Sequence, residues 1–282
     1  MASRTPLPLL LRSYRPTLQP LSSASSALRH YSSSYSSSSS RPTFVPFSRT
    51  SADTEIPYGE PTQPSSVYLP MNPQASASTA TSDTTEAAAA AAATTTPSNL
   101  TDHQRRVLDK ILRVDQAGEL GANWIYRGQH AVLKRNNDPR IAALIQDMWD
   151  GEKKHIATFD KLITQHGVRP TALYPVWKAA GFALGSGTAL LGNRAAMACT
   201  EAVETVIGEH YNSQLKELDQ AFPSDHPSIP LLKRLLLEFR DDELAHLDTA
   251  VENESQQAPA YALLSAAIAT GCRLAIGISG KV

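Results

Sequence analysis

Cysteine is nearly absent. The 282 residues include only Cys199 and Cys272, and no Cys-x-x-Cys pair occurs. A disulfide framework, a thiolate zinc site and a rubredoxin-type iron centre are thereby excluded; both cysteines lie in apolar helical stretches and read as small buried hydrophobes. A surplus of positive charge is also missing. With a formal net charge of -1 there is no basic stripe, and nucleic acid is not expected as a partner. No Gly-x-Gly-x-x-Gly loop occurs, so nothing in the sequence supports a Rossmann-type dinucleotide site. Long uncharged apolar runs are wanting too: Ala179 to Asn193 falls short of the roughly 20 residues a spanning helix needs, and Ser255 to Cys272 contains Gln256, Gln257 and Pro259.

Acidic residues are absent before Asp53, whereas Arg4, Arg12, Arg15, Arg29, Arg41 and Arg49 stand among many serines. Arginine- and serine-rich, acid-poor sequence is the mark of an organelle transit peptide, and residues 1–50 are expected to direct the chain to mitochondria. The apolar run from Leu7 to Leu11 is too short, and is interrupted by Pro8, for a secretory signal. Residues 51–98 are rich in Pro, Ser, Thr and Ala. They hold too few large apolar side chains to offset the entropy of ordering and read as a disordered linker. The folded unit is then residues 99–282.

In that unit proline is sparse and apolar residues recur every three to four positions, which specifies helices and no strands. Six are expected. The first starts at Thr101, which forms a capping box with Gln104, and runs to about Lys134. Asp138-Pro139 supplies the cap and first-turn proline of the second, which Gly167 ends. The third, apolar and glycine-rich, covers about Pro175 to Leu191, and the fourth about Arg194 to Ala221. After a polar loop, Pro223 to Pro227, the fifth covers about Ser228 to Asn253 and the sixth about Pro259 to Ile278.

Two of these helices share one pattern, Glu152-Lys-Lys-His155 and Glu243-Leu-Ala-His246. Three residues advance a helix by nearly one turn, so each Glu and His stand on one face and reach the same or adjacent metal ions. Random placement of 13 glutamates and 8 histidines would give about 0.4 such pairs, so two are uncommon without being decisive. Each pair is preceded by a helix with a lone glutamate toward its apolar side, Glu119 in the first and Glu204 in the fourth. Glu201, one turn from Glu204, competes with it; Met197, Val203 and Ile207 place Glu204 nearer the apolar stripe. The order Glu, Glu-x-x-His, Glu, Glu-x-x-His is what a four-helix di-iron site requires. Four carboxylates facing one core need compensation, and two ferrous ions bring four positive charges. Carboxylate with imidazole and no thiolate suits iron or manganese. Asp242 is placed to hydrogen-bond a ligand histidine, and Tyr126 and Tyr211 to approach the site.

Five stretches carry a resemblance: Arg113-Val-Asp-Gln-Ala-Gly-Glu119-Leu-Gly-Ala-Asn, Met148-Trp-Asp-Gly-Glu152-Lys-Lys-His155, Gly181-Phe-Ala-Leu-Gly-Ser-Gly-Thr-Ala-Leu-Leu-Gly192, Ala198-Cys-Thr-Glu-Ala-Val-Glu204 and Phe239-Arg-Asp-Asp-Glu243-Leu-Ala-His246. They resemble the 5-demethoxyubiquinone hydroxylases of ubiquinone biosynthesis from about Leu112 to Leu274, between the ligands as well as at them. The resemblance implies an all-α, ferritin-like four-helix bundle with two additional apolar helices. It places two irons on Glu119, Glu152, His155, Glu204, Glu243 and His246. The implied activity is a monooxygenase that hydroxylates a demethoxylated polyprenyl quinone with dioxygen and electrons from NADH. It implies a peripheral protein on the matrix side of the mitochondrial inner membrane, partnered by lipid-binding and other proteins of the ubiquinone-synthesis complex. Monotopic attachment is expected through the third helix and, with it, the sixth, against the alternative that both are buried core helices. The competing functions are another di-iron oxidase, either a ferritin-like iron store or a quinol oxidase, and a metal-free scaffold with a solvated acidic face.

Overall fold

The structure is a computed structural model and describes residues 64–68, 92–136, 138–222 and 228–282. The transit peptide read at 1–50, the polar loop 223–227 and most of the linker read at 51–98 lie outside the described residues. Six α-helices follow in order: α1 (Asp102–Leu133), α2 (Pro139–His166), α3 (Tyr174–Leu190), α4 (Asn193–Ala221), α5 (Ser228–Glu252) and α6 (Tyr261–Ser279). No strand occurs among the described residues.

The helix ends follow the expected local chemistry. The Thr101 hydroxyl accepts from the Gln104 amide at 3.2 Å while the Gln104 side chain accepts from the Thr101 amide at 3.0 Å. Asp138 caps α2 through the Ile141 amide at 3.3 Å, with Pro139 in the first turn. Gly167 ends α2 in the left-handed conformation, φ 63°, where a residue without Cβ meets no steric penalty. A short 3-10 turn, Ser255–Gln257, lies in the connection between α5 and α6.

The helices α1, α2, α4 and α5 form the bundle, with α1 packed on α2 and α4 on α5. The five-residue loop between α1 and α2 makes them antiparallel neighbours. Two apolar clusters fill the bundle's ends. One gathers Leu108, Ile111, Phe159, Leu162, Leu218, Leu235 and Phe239. The other gathers Tyr126, Leu133, Ile145, Met148, Ala196 and Met197. The central turns of all four helices, between those clusters, carry Glu119, Glu152, Glu204 and Glu243.

Helix α3 connects the two helix pairs and lies along α1, while α6 lies along α4. A third cluster, including Ile125, Cys199, Val203 and Ile268 with Leu184 and Leu264 against it, seats both on the α1–α4 face. Neither is a core helix. Val176 and Leu190 of α3, Leu191 at its C-cap, and Leu263 and Leu274 of α6 are exposed, Leu190 by 75% and Leu263 by 74%. Helix α6, at 19 residues, is long and apolar enough to cross a membrane on length and composition, which the sequence reading did not allow it. Two pieces of the segment read as linker lie on the bundle. Ser65 donates its hydroxyl to Glu238 at 2.7 Å, Tyr68 donates to Gln165 at 2.7 Å, and Thr96 donates to the Gln165 carbonyl at 2.9 Å.

The contact between α1 and α3 depends on Gly185. A methyl group there would fall on the backbone carbonyl of Ile125, whereas one on Gly187 would meet nothing within 4 Å. Overpacking of this kind costs about 1–3 kcal/mol. Gly185→Ala is therefore expected to lower Tm by several degrees in thermal denaturation, and Gly187→Ala to leave it unchanged or slightly raised by helix propensity.

Candidate metal centre

All six expected ligands meet in the bundle centre. Glu119, Glu152, His155 and Glu243 place one donor atom each within 4.8 Å of one another, and so do Glu152, Glu204, Glu243 and His246. The two tetrads share Glu152 and Glu243, the carboxylates of the two Glu-x-x-His helices. None of these side chains forms a solvated face: Glu152, His155 and Glu204 are fully buried, Glu119 and Glu243 nearly so, and His246 is 13% exposed at its side chain.

The imidazoles point the same nitrogen inward. His155 Nδ1 lies 3.1 Å from Glu243 Oε1 and 3.4 Å from Glu119 Oε2. His246 Nδ1 lies 3.2 Å from Glu243 Oε2 and 3.3 Å from Glu152 Oε1. Outside the cluster, His155 Nε2 is 3.1 Å from Asp242 Oδ2, the carboxylate partner that fixes tautomer and ring orientation in metal sites. Phe239 packs on the His155 ring at 4.1 Å between centroids, and Tyr126 meets the His246 ring edge-on at 5.9 Å.

The lone glutamates are held reciprocally. Tyr126 of α1 donates to Glu204 of α4 at 2.7 Å, and Tyr211 of α4 donates to Glu119 of α1. Each tyrosine stands two turns after the glutamate of its own helix and secures that of the other. Glu201 is elsewhere: it accepts from Ser255 at 2.5 Å and Tyr261 at 2.7 Å, binding α4 to the α5–α6 connection. Asp115, Gln214 and His210 were not singled out from the sequence. Gln214 Nε2 bonds Asp115 Oδ1 at 2.5 Å and His210 Nε2 at 2.9 Å, beside Glu119 and Tyr211. Their signal was spacing: Asp115 precedes Glu119 by one turn, and Gln214 follows Tyr211 by one.

Electrostatics demand a counter-charge. Burial, then the charge of Glu243, raises Glu152 to about 8 and Glu204 well above the usual carboxylate range. Burial also opposes ionisation of Glu243, but hydrogen bonds from His155 and His246 outweigh it and hold that carboxyl down at about 2. Burial disfavours a charged His246, yet its bonds to Glu152 and Glu243 raise it to about 11. The cluster thus retains protons against its own negative charge, the task that cations perform when bound. Glu152 Oε2 and Glu204 Oε2 are buried without a hydrogen-bond donor, and Glu119 Oε2, Glu152 Oε1 and Glu243 Oε1 have only the Nδ1 atoms of His155 and His246 beside them, at 3.1 to 3.4 Å. Oxygen and imidazole donors of this kind fit two divalent first-row cations.

The model for the family described as ubiquinone biosynthesis protein COQ7 matches residues 106–279. The chain belongs to this family. It is 48% identical over 182 residues to the NADPH-dependent 3-demethoxyubiquinone 3-hydroxylase, mitochondrial, of Mus musculus, covering 64% of this chain and 81% of that protein. It is 48% identical over 194 residues to the 5-demethoxyubiquinone hydroxylase, mitochondrial, of Saccharomyces cerevisiae, covering 65% and 82%. A bacterial relative, the 3-demethoxyubiquinol 3-hydroxylase of Rhodospirillum rubrum, is 48% identical over 177 residues, covering 62% and 79%. Membership of the family agrees with the resemblance read from the sequence and with the helical fold.

Two outcomes follow for stability. The folded metal-free domain keeps the Glu152 proton up to about pH 8, and the unfolded chain only to its ordinary 4.5. The folded state therefore binds more protons across that interval, and metal-free stability falls as pH rises through it. His246, raised from 6.5 to about 11, acts in the same direction above pH 6.5. Scanning calorimetry of chelator-treated protein should show Tm falling between about pH 6 and 8, and ferrous or manganous loading should reverse the slope because metal displaces protons. Replacing the buried Glu204 carboxyl by an amide, Glu204→Gln, should raise metal-free Tm by relieving roughly 1–3 kcal/mol of desolvation while removing the metal-induced gain. An unchanged metal response in that variant would exclude Glu204 from the centre.

Proposed function

We propose that this chain is a di-iron monooxygenase that hydroxylates the ring of a demethoxylated polyprenyl quinone, 5-demethoxyubiquinone, in ubiquinone biosynthesis. The observation that carries the reading is the pair of overlapping tetrads, sealed between two apolar clusters in a chain of the COQ7 family. Glu119 and His155 would hold one iron, Glu204 and His246 the other, with Glu152 and Glu243 shared between them. Bound there, the irons would supply the activation of dioxygen and the electrons that let one oxygen atom enter the ring.

The protein's own part is positioning and exclusion of water. Tyr126 and Tyr211 keep one oxygen of Glu204 and of Glu119 occupied, leaving the other oxygen of each turned to the centre. Asp242 holds the His155 ring so that Nδ1 faces inward. A cavity of about 20 Å³ lies beside Glu119 and Tyr211, closed on its outer side by Val114, Gly118, Ile207 and Ile276 of α1, α4 and α6. A quinone ring would enter there by displacing α6 from α1.

A polyprenyl substrate resides in a bilayer, and the exposed apolar faces of α3 and α6 suit attachment to the matrix surface of the mitochondrial inner membrane. Helix α6 runs along α4 and pairs Arg273 with Glu209 at 3.0 Å, which favours a helix lying in the interface over one crossing it. The same faces would meet lipid-binding proteins of a ubiquinone-synthesis complex. A ferritin-like iron store has no use for such faces. Electrons would come from a reduced nicotinamide dinucleotide: NADH by the sequence resemblance, NADPH by the names of the mammalian relatives.

The decisive test is anaerobic reduction of the iron-loaded protein followed by mixing with ¹⁸O₂ and demethoxylated quinone. Mass analysis should find one labelled oxygen in the product; quinone returned without it would indicate a quinol oxidase. NADH and NADPH are compared as reductants in parallel. Glu119→Ala and His246→Ala should each lose bound iron and all hydroxylation, and a metal-free wild type of equal stability would favour the scaffold. Asp242→Asn, by loosening the His155 ring, should weaken metal affinity by about 10–100-fold.

A further inference from the structure

One cleft on the α1–α3 edge combines aromatic rings with positive charge. It has a volume of about 490 Å³ and is lined by Trp124, Tyr174, Pro175, Lys178, Ala179 and Phe182. The Arg127 guanidinium lies 4.3 Å from the centre of the Trp124 ring, and the Lys178 ammonium 4.7 Å from the same ring and 5.5 Å from that of Tyr174. Phe182 meets Trp124 edge-on at 6.2 Å. Among the described residues no carboxylate pairs with Arg127 or Lys178, whereas Lys110, Lys154, Arg194 and Arg273 each hold one. A cation resting on an indole keeps N–H groups free for an anion.

The surroundings select the anion. From Thr171 to Asn193, and again from Ser255 to Val282, the sequence contains no Asp or Glu. The exposed helices α3 and α6 therefore present apolar side chains and positive charge, with no acid of their own to repel an anionic surface. The cleft sits at the start of α3, continuous with its exposed Val176 and Phe182. Trp and Tyr beside Lys and Arg at the margin of an apolar face are the arrangement that settles at headgroup depth.

We propose that this cleft binds the phosphate of an anionic phospholipid headgroup. Lys178, which lines the cleft, neutralises it, Arg127 on the Trp124 ring adds positive charge at its margin, the Trp124 and Tyr174 rings pack on the glycerol, and the acyl chains continue along Phe182. The site rests on the membrane attachment inferred above and deepens it, because one fixed headgroup would set the rotation of the domain on the surface.

The test is co-sedimentation of the full chain with vesicles of phosphatidylcholine alone and of phosphatidylcholine mixed with phosphatidylglycerol. Wild type should bind both, and the mixed vesicles more tightly. Lys178→Gln and Arg127→Gln should each lower partition onto mixed vesicles about five-fold and leave binding to phosphatidylcholine unchanged. Lys216→Gln, an exposed cation on α4 toward the other end of the bundle, should change neither. Equal wild-type binding to the two compositions, or anionic preference retained in the cleft variants, would overturn the headgroup site and leave the attachment standing. Wild type that sediments with neither overturns both. Lys178-dependent quenching of tryptophan fluorescence by NADPH, with no quenching by mixed vesicles, would make the cleft a nucleotide site and also overturn the proposal.

Discussion

Four carboxylates and two imidazoles occupy the buried centre of the bundle, between its apolar clusters, and the rest of the architecture accommodates that. Burying an ionised carboxylate costs several kcal/mol even after relaxation, and here the burial is repeated four times on helices that face one another. The chain meets it with two devices. Apolar clusters close the bundle on both sides of the central turns, which strengthens every attraction inside. Imidazoles and tyrosines then supply donors to the carboxylates, though not to all their oxygens. The oxygens left without donors converge, and that convergence distinguishes a cation site from a set of satisfied core polar groups.

The site has an internal repeat, and its logic is reciprocal. Glu119 and Tyr126 on α1 correspond to Glu204 and Tyr211 on α4, seven residues apart in both cases, and each tyrosine serves the opposite glutamate. Neither half can be assembled alone: α1 brings a ligand whose orientation depends on α4, and the converse. The docking of α1 on α4 thereby carries chemical information beyond the apolar area it buries.

Much of this was legible because the period of a helix is fixed. The Glu-x-x-His spacing places two donors on one face without any knowledge of the fold, and Thr101, Pro139 and Gly167 mark helix ends by local chemistry alone. The apolar stripe of Met197, Val203 and Ile207 favoured Glu204 over Glu201, and the resemblance to known hydroxylases agreed with it. The structure gives the physical ground: Glu201 is engaged by Ser255 and Tyr261, in a 3-10 turn and helix start that the spacing of apolar residues does not announce. Exposure of α3 and α6 was not readable in the same way. Their side chains are apolar nearly all round, so periodicity cannot tell a helix wrapped by protein from one facing lipid. Only tertiary placement decides. The small residues Gly181 and Gly185 are the visible trace of it, marking the strip of α3 that presses on the α1 backbone.

The two Glu-x-x-His helices are not exact repeats, and the differences have consequences. In α5 the residue before the ligand glutamate is Asp242, which holds His155 Nε2. In α2 the equivalent residue is Gly151, and a side-chain carbon there would lie 3.5 Å from His246 Nε2. The His155 ring is thus fixed by a carboxylate on one edge and by Phe239 on its face. His246 has only an edge-on tyrosine and is partly open to solvent. A ligand whose outer nitrogen is anchored is more basic and less free to turn. Of the two imidazoles that would hold metal here, His155 is therefore the more firmly oriented and His246 the freer to turn. The asymmetry arises where Phe239 and Asp242 of α5 are matched by Met148 and Gly151 at the same positions of α2.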